Sequence, residues 1–123
     1  MTMAHWLVKT EPNEFSFDDL VRDGRTVWDG VRNYQARNNL RQMQPGEWVL
    51  VYHSVGPKTL VGLAQVASDP YADPTDNDKN LWTVVDMVPI KPLVQPVTLD
   101  TLKTHMPDLP LVKQSRLSVM PLT

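Results

Sequence analysis

Two stretches of this chain carry residue types that could do chemistry. In the first, Trp28-Asp29-Gly30-Val31-Arg32-Asn33, an aromatic ring closes a β-compatible run just before a glycine turn and an arginine-bearing helix start. A ring beside exposed backbone donors suits stacking on a base and holding a phosphate, and core packing is the plainer use of the same ring. In the second, Lys9 and Glu11 stand two apart on an extended run and share a face, which gives either an acid–base pair or a structural ion pair. Ser54 follows His53, but strand neighbours face opposite ways and form no dyad.

Other chemistries find no support. His5, His53 and His105 are far apart and fit no metal-ligand spacing. The run from Asp73 to Asp78 resembles a calcium loop without its glycine and distal glutamate, and reads as a solvent-facing polar loop. No nucleophile elbow, phosphate-binding glycine loop or dinucleotide fingerprint occurs. The absence of cysteine among 123 residues excludes disulfides, thiolate metal sites and cysteine nucleophiles. No cofactor is expected. No apolar run reaches the ~18–20 residues of a membrane span, and the first dozen residues lack the basic and apolar regions of a secretory signal. The expectation is a soluble, cytoplasmic domain with no membrane and no metal partner.

Twelve Lys and Arg against fourteen Asp and Glu leave a net charge of −2. A protein that coats nucleic acid through phosphate contacts is usually basic, so a long footprint is disfavoured. Charge is uneven, however. Arg22, Arg25, Arg32, Arg37 and Arg41 face only Asp23 and Asp29 over residues 22–41, whereas Asp69, Asp73, Asp76 and Asp78 face only Lys79 over 69–80. A local basic patch on an acidic chain suits a small, selective contact.

The elements that must position these residues follow from pattern. His5 to Thr10 reads as a strand, Ser16 to Asp19 as a capped helix start and Asp23-Gly24 as its stop. Thr26 to Trp28 reads as a short strand, and Asn33 as the cap of a helix whose Ala36, Leu40 and Met43 form the buried stripe, ended by Pro45-Gly46. Asn33, Arg37 and Arg41 recur on a neighbouring face. Trp48 to His53 and Thr59 to Ala67 read as a hairpin, Leu81 to Ile90 as a further strand, and Thr98 to His105 as a short helix. Trp6, Trp48 and Trp82 fall inside strand patterns and read as core. Eight of the eleven prolines lie from Pro70 onward and exclude long helices there. The whole reads as one α+β domain, a small, partly closed β-barrel with about five strands and two or three helices.

The eleven residues Trp28 to Asn38, WDGVRNYQARN, resemble the signature of the EVE domain, a PUA-like fold. Trp6 to Pro12, Tyr52-His53-Ser54, Val61-Gly62, Tyr71 to Thr75 and Ser115 to Val119 resemble the family in the same order. The resemblance implies a single domain over residues 1–123, a PUA-like β-barrel of about five to six strands with two to four short helices, related to ASCH and YTH domains. The family pattern continues past the Ser-Val-x-Pro segment into a helix with a Trp, so a domain lacking that helix is expected.

The resemblance further implies a nucleic-acid partner carrying a modified base, either modified cytosine in DNA or a modified base in RNA. Trp28, Asp29, Gly30 and Val31 would line the base pocket, with Asn33, Tyr52, His53 and Ser54 as readers of the base edge. Lys9, Glu11, Arg32, Arg37, Arg116 and Ser118 would stand at the rim or on phosphates. Three functions stay open: a non-catalytic reader, an enzyme on a small modified nucleoside with Lys9 and Glu11 as its acid–base pair, and an interaction module that uses the barrel as scaffold. On this reading the Trp28 side chain should lie at least partly open to a pocket, unlike those of Trp48 and Trp82.

Overall fold

The computed structural model describes residues 4–76, 81–114 and 116–122. Asn77, Asp78 and Lys79 of the acidic run, and Ser115, therefore lie outside the described residues. The strand β1 (His5–Thr10) buries Trp6, Leu7 and Val8 in succession, as a strand covered on both faces does. A turn leads to helix α1 (Phe17–Asp23), opened by a complete capping box between Ser16 and Asp19 and closed at Gly24 with φ 75°. Phe17, buried, lies against Gly62 so closely that a Cβ there would overlap its ring. Strand β2 (Thr26–Trp28) and helix α2 (Tyr34–Leu40) follow, with the Asn33 side chain accepting from the Ala36 amide at 2.9 Å.

The hairpin is strand β3 (Trp48–His53) with strand β4 (Thr59–Val66), and a two-residue strand β5 (Tyr71–Ala72) precedes the long strand β6 (Thr83–Thr98). Helix α3 (Leu99–His105), capped by Thr98, helix α4 (Pro110–Lys113) and strand β7 (Val119–Leu122) complete the described chain. The sheet runs β2-β6-β4-β3-β1-β7, with β5 added to β6, and curls into a half-barrel. Every pairing is antiparallel except β1 with β3. β4 lies between β3 and β6 and pairs with both, and α1 and α2 cover the inner face through Leu20, Ala36 and Leu40.

Several expectations change. The α2 stripe is buried through Met43, but the helix stops at Leu40 and Met43 packs from the following turn. The third main strand starts after Trp82 and runs eight residues beyond Ile90, through Pro92 and Pro96. The prolines fit because the β4–β6 register slips between Leu60 and Gly62 and again between Leu63 and Ala64, so no continuous ladder has to be donated. β5, α4 and β7 were not expected; each is four residues or shorter. The loop from Asp73 is not wholly solvent-facing, since Asp73 itself is buried beneath Arg32. Among the described residues no helix is long and apolar enough to cross a membrane, and no group of acidic, histidine or cysteine side chains could hold a metal.

Candidate functional site

A cavity of about 670 Å³ opens where the edge of β2 meets the end of β1. β2 supplies Thr26, Val27 and Trp28, and the chain then turns through Asp29 and Gly30, whose φ of 76° favours glycine. Val31 drops into the core beside Arg32, so the backbone from 29 to 31 forms one wall. β1 supplies Lys9 and Thr10, and the residues after it supply Glu11, Glu14 and Phe15. That segment is held as a turn: the Glu14 and Phe15 amides donate to the Glu11 carbonyl at 3.0 and 2.9 Å, and the Thr10 hydroxyl donates to the Phe15 carbonyl at 2.6 Å. The Ser54 amide donates to the Thr10 carbonyl and the Lys9 amide to that of Ser118, which brings Ser54, Ser118 and Arg116 to the same rim.

The lining thus mixes three carboxylates, Glu11, Glu14 and Asp29, with three cations, Lys9, Arg32 and Arg116. Burial lowers the Lys9 pKa, and the nearby Lys58 charge lowers it further. The balanced lining suits a neutral ligand with both donors and acceptors, with cations left to meet phosphate.

Of the residues singled out from sequence, Lys9, Glu11, Trp28, Asp29, Gly30, Val31, Arg32, Ser54, Arg116 and Ser118 line this one cavity. The other four stand elsewhere. Asn33 spends its side chain on the α2 cap, and buried Tyr52 has its phenol pKa raised by desolvation. His53 accepts from the Phe17 amide through Nε2 at 3.2 Å. Arg37 donates to the Leu81 carbonyl and to Asn38. The arginine run is likewise no single patch, because Arg22, Arg25 and Arg32 are paired with Asp19 and Asp23, Asp86, and Asp73 in turn.

Trp28 lines the cavity, but the contrast expected with Trp48 and Trp82 does not hold, because each of these also borders an opening. Trp28 is 8% exposed, while Trp48 and Trp82 are half-buried. Its backbone pairs with Val85 of β6, and Phe15 meets its ring edge-on with centroids 6.2 Å apart, so it is a packed wall of the cavity and not a free plate. Phe15, Glu14 and Thr10 went unnoticed in the sequence. Thr10 stands between Lys9 and Glu11, and Glu14 and Phe15 in the turn just after them, places that no spacing rule marks.

His53 offers a test by pH. Burial lowers its pKa below the ordinary 6.5, against an opposing pull from Asp18. The unfolded chain therefore takes up the proton first. Stability from the Phe17 contact is complete above 6.5 and falls as the pH drops below that value toward the lowered folded one. Between about pH 7.5 and about pH 5.5 the parent should lose melting temperature more steeply than His53→Gln, whose amide oxygen can accept at either pH. Parallel curves for the two proteins would contradict this.

A curled mixed sheet with helices on its inner face, and a cavity between its β2 edge and β1, is the architecture of a PUA-like domain. Residues 4–123 match the EVE domain, and the chain belongs to that family. Thymocyte nuclear protein 1 of Homo sapiens is 32% identical over 155 residues, covering 98% of this chain and 69% of the relative. The Gallus gallus protein of the same name is 31% identical and covers 100% of this chain, which spans 65% of that relative's length. A crystal structure of a Pseudomonas syringae protein matches with a TM-score of 0.91 and 42% identity, over 98% of this chain and 92% of that one. The structure of the human THYN1 protein in complex with DNA containing 5-methylcytosine matches with a TM-score of 0.90 and 32% identity, over 98% and 91% of the two chains. An ASCH protein from Zymomonas mobilis, at 13% identity and a TM-score of 0.59, shares the fold alone.

Proposed function

We propose that this chain is a non-catalytic reader of DNA that takes a modified cytosine into the cavity beside Trp28. The observation that carries the reading is the joining of an aromatic wall, a carboxylate set and rim cations in one opening of about 670 Å³, a size that suits a flipped base. The cytosine N4 amine donates, and Glu11, Glu14 and Asp29 are the acceptors at hand. Phe15, Val27 and Val31 offer apolar surface to a 5-methyl group, and Arg32 and Arg116 offer donors to the flanking phosphates. The solved relative bound to DNA containing 5-methylcytosine supports DNA as the partner.

The test is fluorescence anisotropy on matched oligonucleotides carrying cytosine or 5-methylcytosine, as DNA and as RNA. Tighter binding of the modified DNA is expected; equal affinity for the two DNAs overturns modified-base reading, and preference for RNA overturns the choice of DNA. One observation favours a second reading. Lys9, with its lowered pKa, and Glu11 line the same cavity, as an acid–base pair acting on a free modified nucleoside would. Mass-spectrometric conversion of such nucleosides by the parent, abolished in Lys9→Met, would establish that reading instead.

A further inference from the structure

Four side chains outside the strands form one stacked run. The Arg32 guanidinium lies 5.4 Å from the centroid of the Trp82 ring. Trp82 and Tyr34 stack with centroids 5.3 Å apart and planes inclined by 17°, and the Arg37 guanidinium lies 4.9 Å over the Tyr34 ring. Each ring therefore meets the other ring and one guanidinium. Arg32 belongs both to this run and to the cavity rim, so the run leads away from the site just described.

Both guanidiniums are also fixed by hydrogen bonds. Arg32 donates from Nη1 to Asp73 Oδ2 at 3.0 Å and to the Val31 carbonyl at 3.1 Å, and from Nη2 to Thr75 at 3.3 Å. Asp73 is itself held by the Thr75 amide at 2.8 Å and hydroxyl at 2.6 Å. Its side chain is wholly buried. Burial alone would raise the Asp73 pKa, but the bonds from Thr75 and Arg32 more than offset it and hold the carboxyl below its usual range. Arg37 donates to Asn38 from Nε and Nη2 at 3.2 and 3.0 Å, and to the Leu81 carbonyl from Nη1 at 3.2 Å. A guanidinium has five N–H groups; three are spent in each case, which leaves two on each for a ligand. Asp73 compensates the charge of Arg32, whereas among the described residues no carboxylate lies within ion-pair distance of Arg37.

We infer that this run is a phosphate rail for the DNA that the cavity engages, with Arg32 and Arg37 as the phosphate contacts and Tyr34, Trp82 and Asp73 as positioning residues. The inference rests on the reading of the cavity as a base site. Stacking restricts both guanidiniums before the ligand arrives, so less side-chain freedom is lost on binding. The rings are not platforms for bases, because guanidiniums already occupy their neighbourhood. Tyr34 is 59% exposed, so its truncation removes little packing.

The experiment measures affinity for cytosine and 5-methylcytosine DNA across a salt series, with melting curves alongside, for the parent, Arg37→Ala, Tyr34→Ala and Tyr34→Phe. Arg37→Ala should weaken both DNAs equally and lower the slope of log affinity on log salt by about 1. Tyr34→Ala should also lower that slope and weaken both DNAs equally although it removes no charge, while Tyr34→Phe keeps the parent's values. If Tyr34→Ala keeps the parent's slope and affinity, or costs only the discrimination between the two DNAs, the rail is wrong and the base reading stands. If the parent binds the two DNAs alike, the base reading falls, and the slopes of the variants still decide the rail.

Discussion

Glu47→Ala should cost roughly 3–5 kcal/mol of folding stability, although Glu47 touches no part of the cavity. Its carboxylate is buried and accepts three N–H groups: Ala4 at 2.9 Å, Trp6 Nε1 at 2.9 Å and Gln44 at 2.7 Å. These bonds join the start of β1 and the turn before β3, the parallel pair at the centre of the β1 side of the sheet. Removing the acceptor leaves the Trp6 indole N–H unpaired among buried groups, at a cost of about 1–3 kcal/mol, and weakens the two partly buried amides as well. Glu47→Gln keeps one acceptor oxygen, and its loss should be about half as large. Chemical denaturation of both variants checks this; a shift for Glu47→Ala below about 1 kcal/mol would show that water replaces the carboxylate without difficulty.

Glu47 also shows where sequence reading stops. The Ser16–Asp19 capping box, the Asn33 cap and the Gly24 stop were all legible, because each is a contact within three or four residues. The β3–β4 hairpin was legible because its apolar runs match and a short turn joins them. Glu47 binds Trp6 and Ala4 from 41 and 43 positions away, and a glutamate between a glycine and a strand looks like surface. Asp73 escaped for the same reason, since its partner Arg32 is 41 residues off and the surrounding aspartates made the loop look solvated. Trp82 and Tyr34 fell in a strand pattern and in a helix, and nothing local says that they stack. β6 was legible only as far as Ile90, where its regular alternation ends, while its pairing with β4 continues through register slips where the prolines fall.

The cavity was legible in part for a related reason. Ten of the fourteen candidate residues line it, and they are those on the β1 end, the Trp28–Arg32 turn, Ser54 just after β3 and the segment before β7. Position along the family pattern marked all of these. Asn33, Tyr52 and His53 had the right chemistry, but their side chains are taken by a helix cap, the core and the Phe17 amide, and Arg37 lies off the cavity in the stacked run with Tyr34. A residue type announces what it could bind, and only the fold decides whether that capacity is already spent.

Trp28→Ala should therefore fail twice. The ring is buried, packed edge-on by Phe15, and borne on a strand paired with β6, so truncation should cost ~3–5 kcal/mol of folding free energy as it does for a core aromatic. The small stability loss that a free stacking plate would give is not expected of this geometry. The same substitution removes the aromatic wall from the cavity and, on the proposed function, a further ~1–3 kcal/mol of binding. Trp28→Phe separates the two losses, because it retains most of the buried area while presenting a smaller face to a base. Its melt should lie close to the parent's, with affinity for 5-methylcytosine DNA reduced but measurable. If Trp28→Ala, assayed well below its melting temperature, still binds that DNA as tightly as the parent, Trp28 is core alone and the base must lie against other lining residues such as Lys9, Glu11 and Ser54.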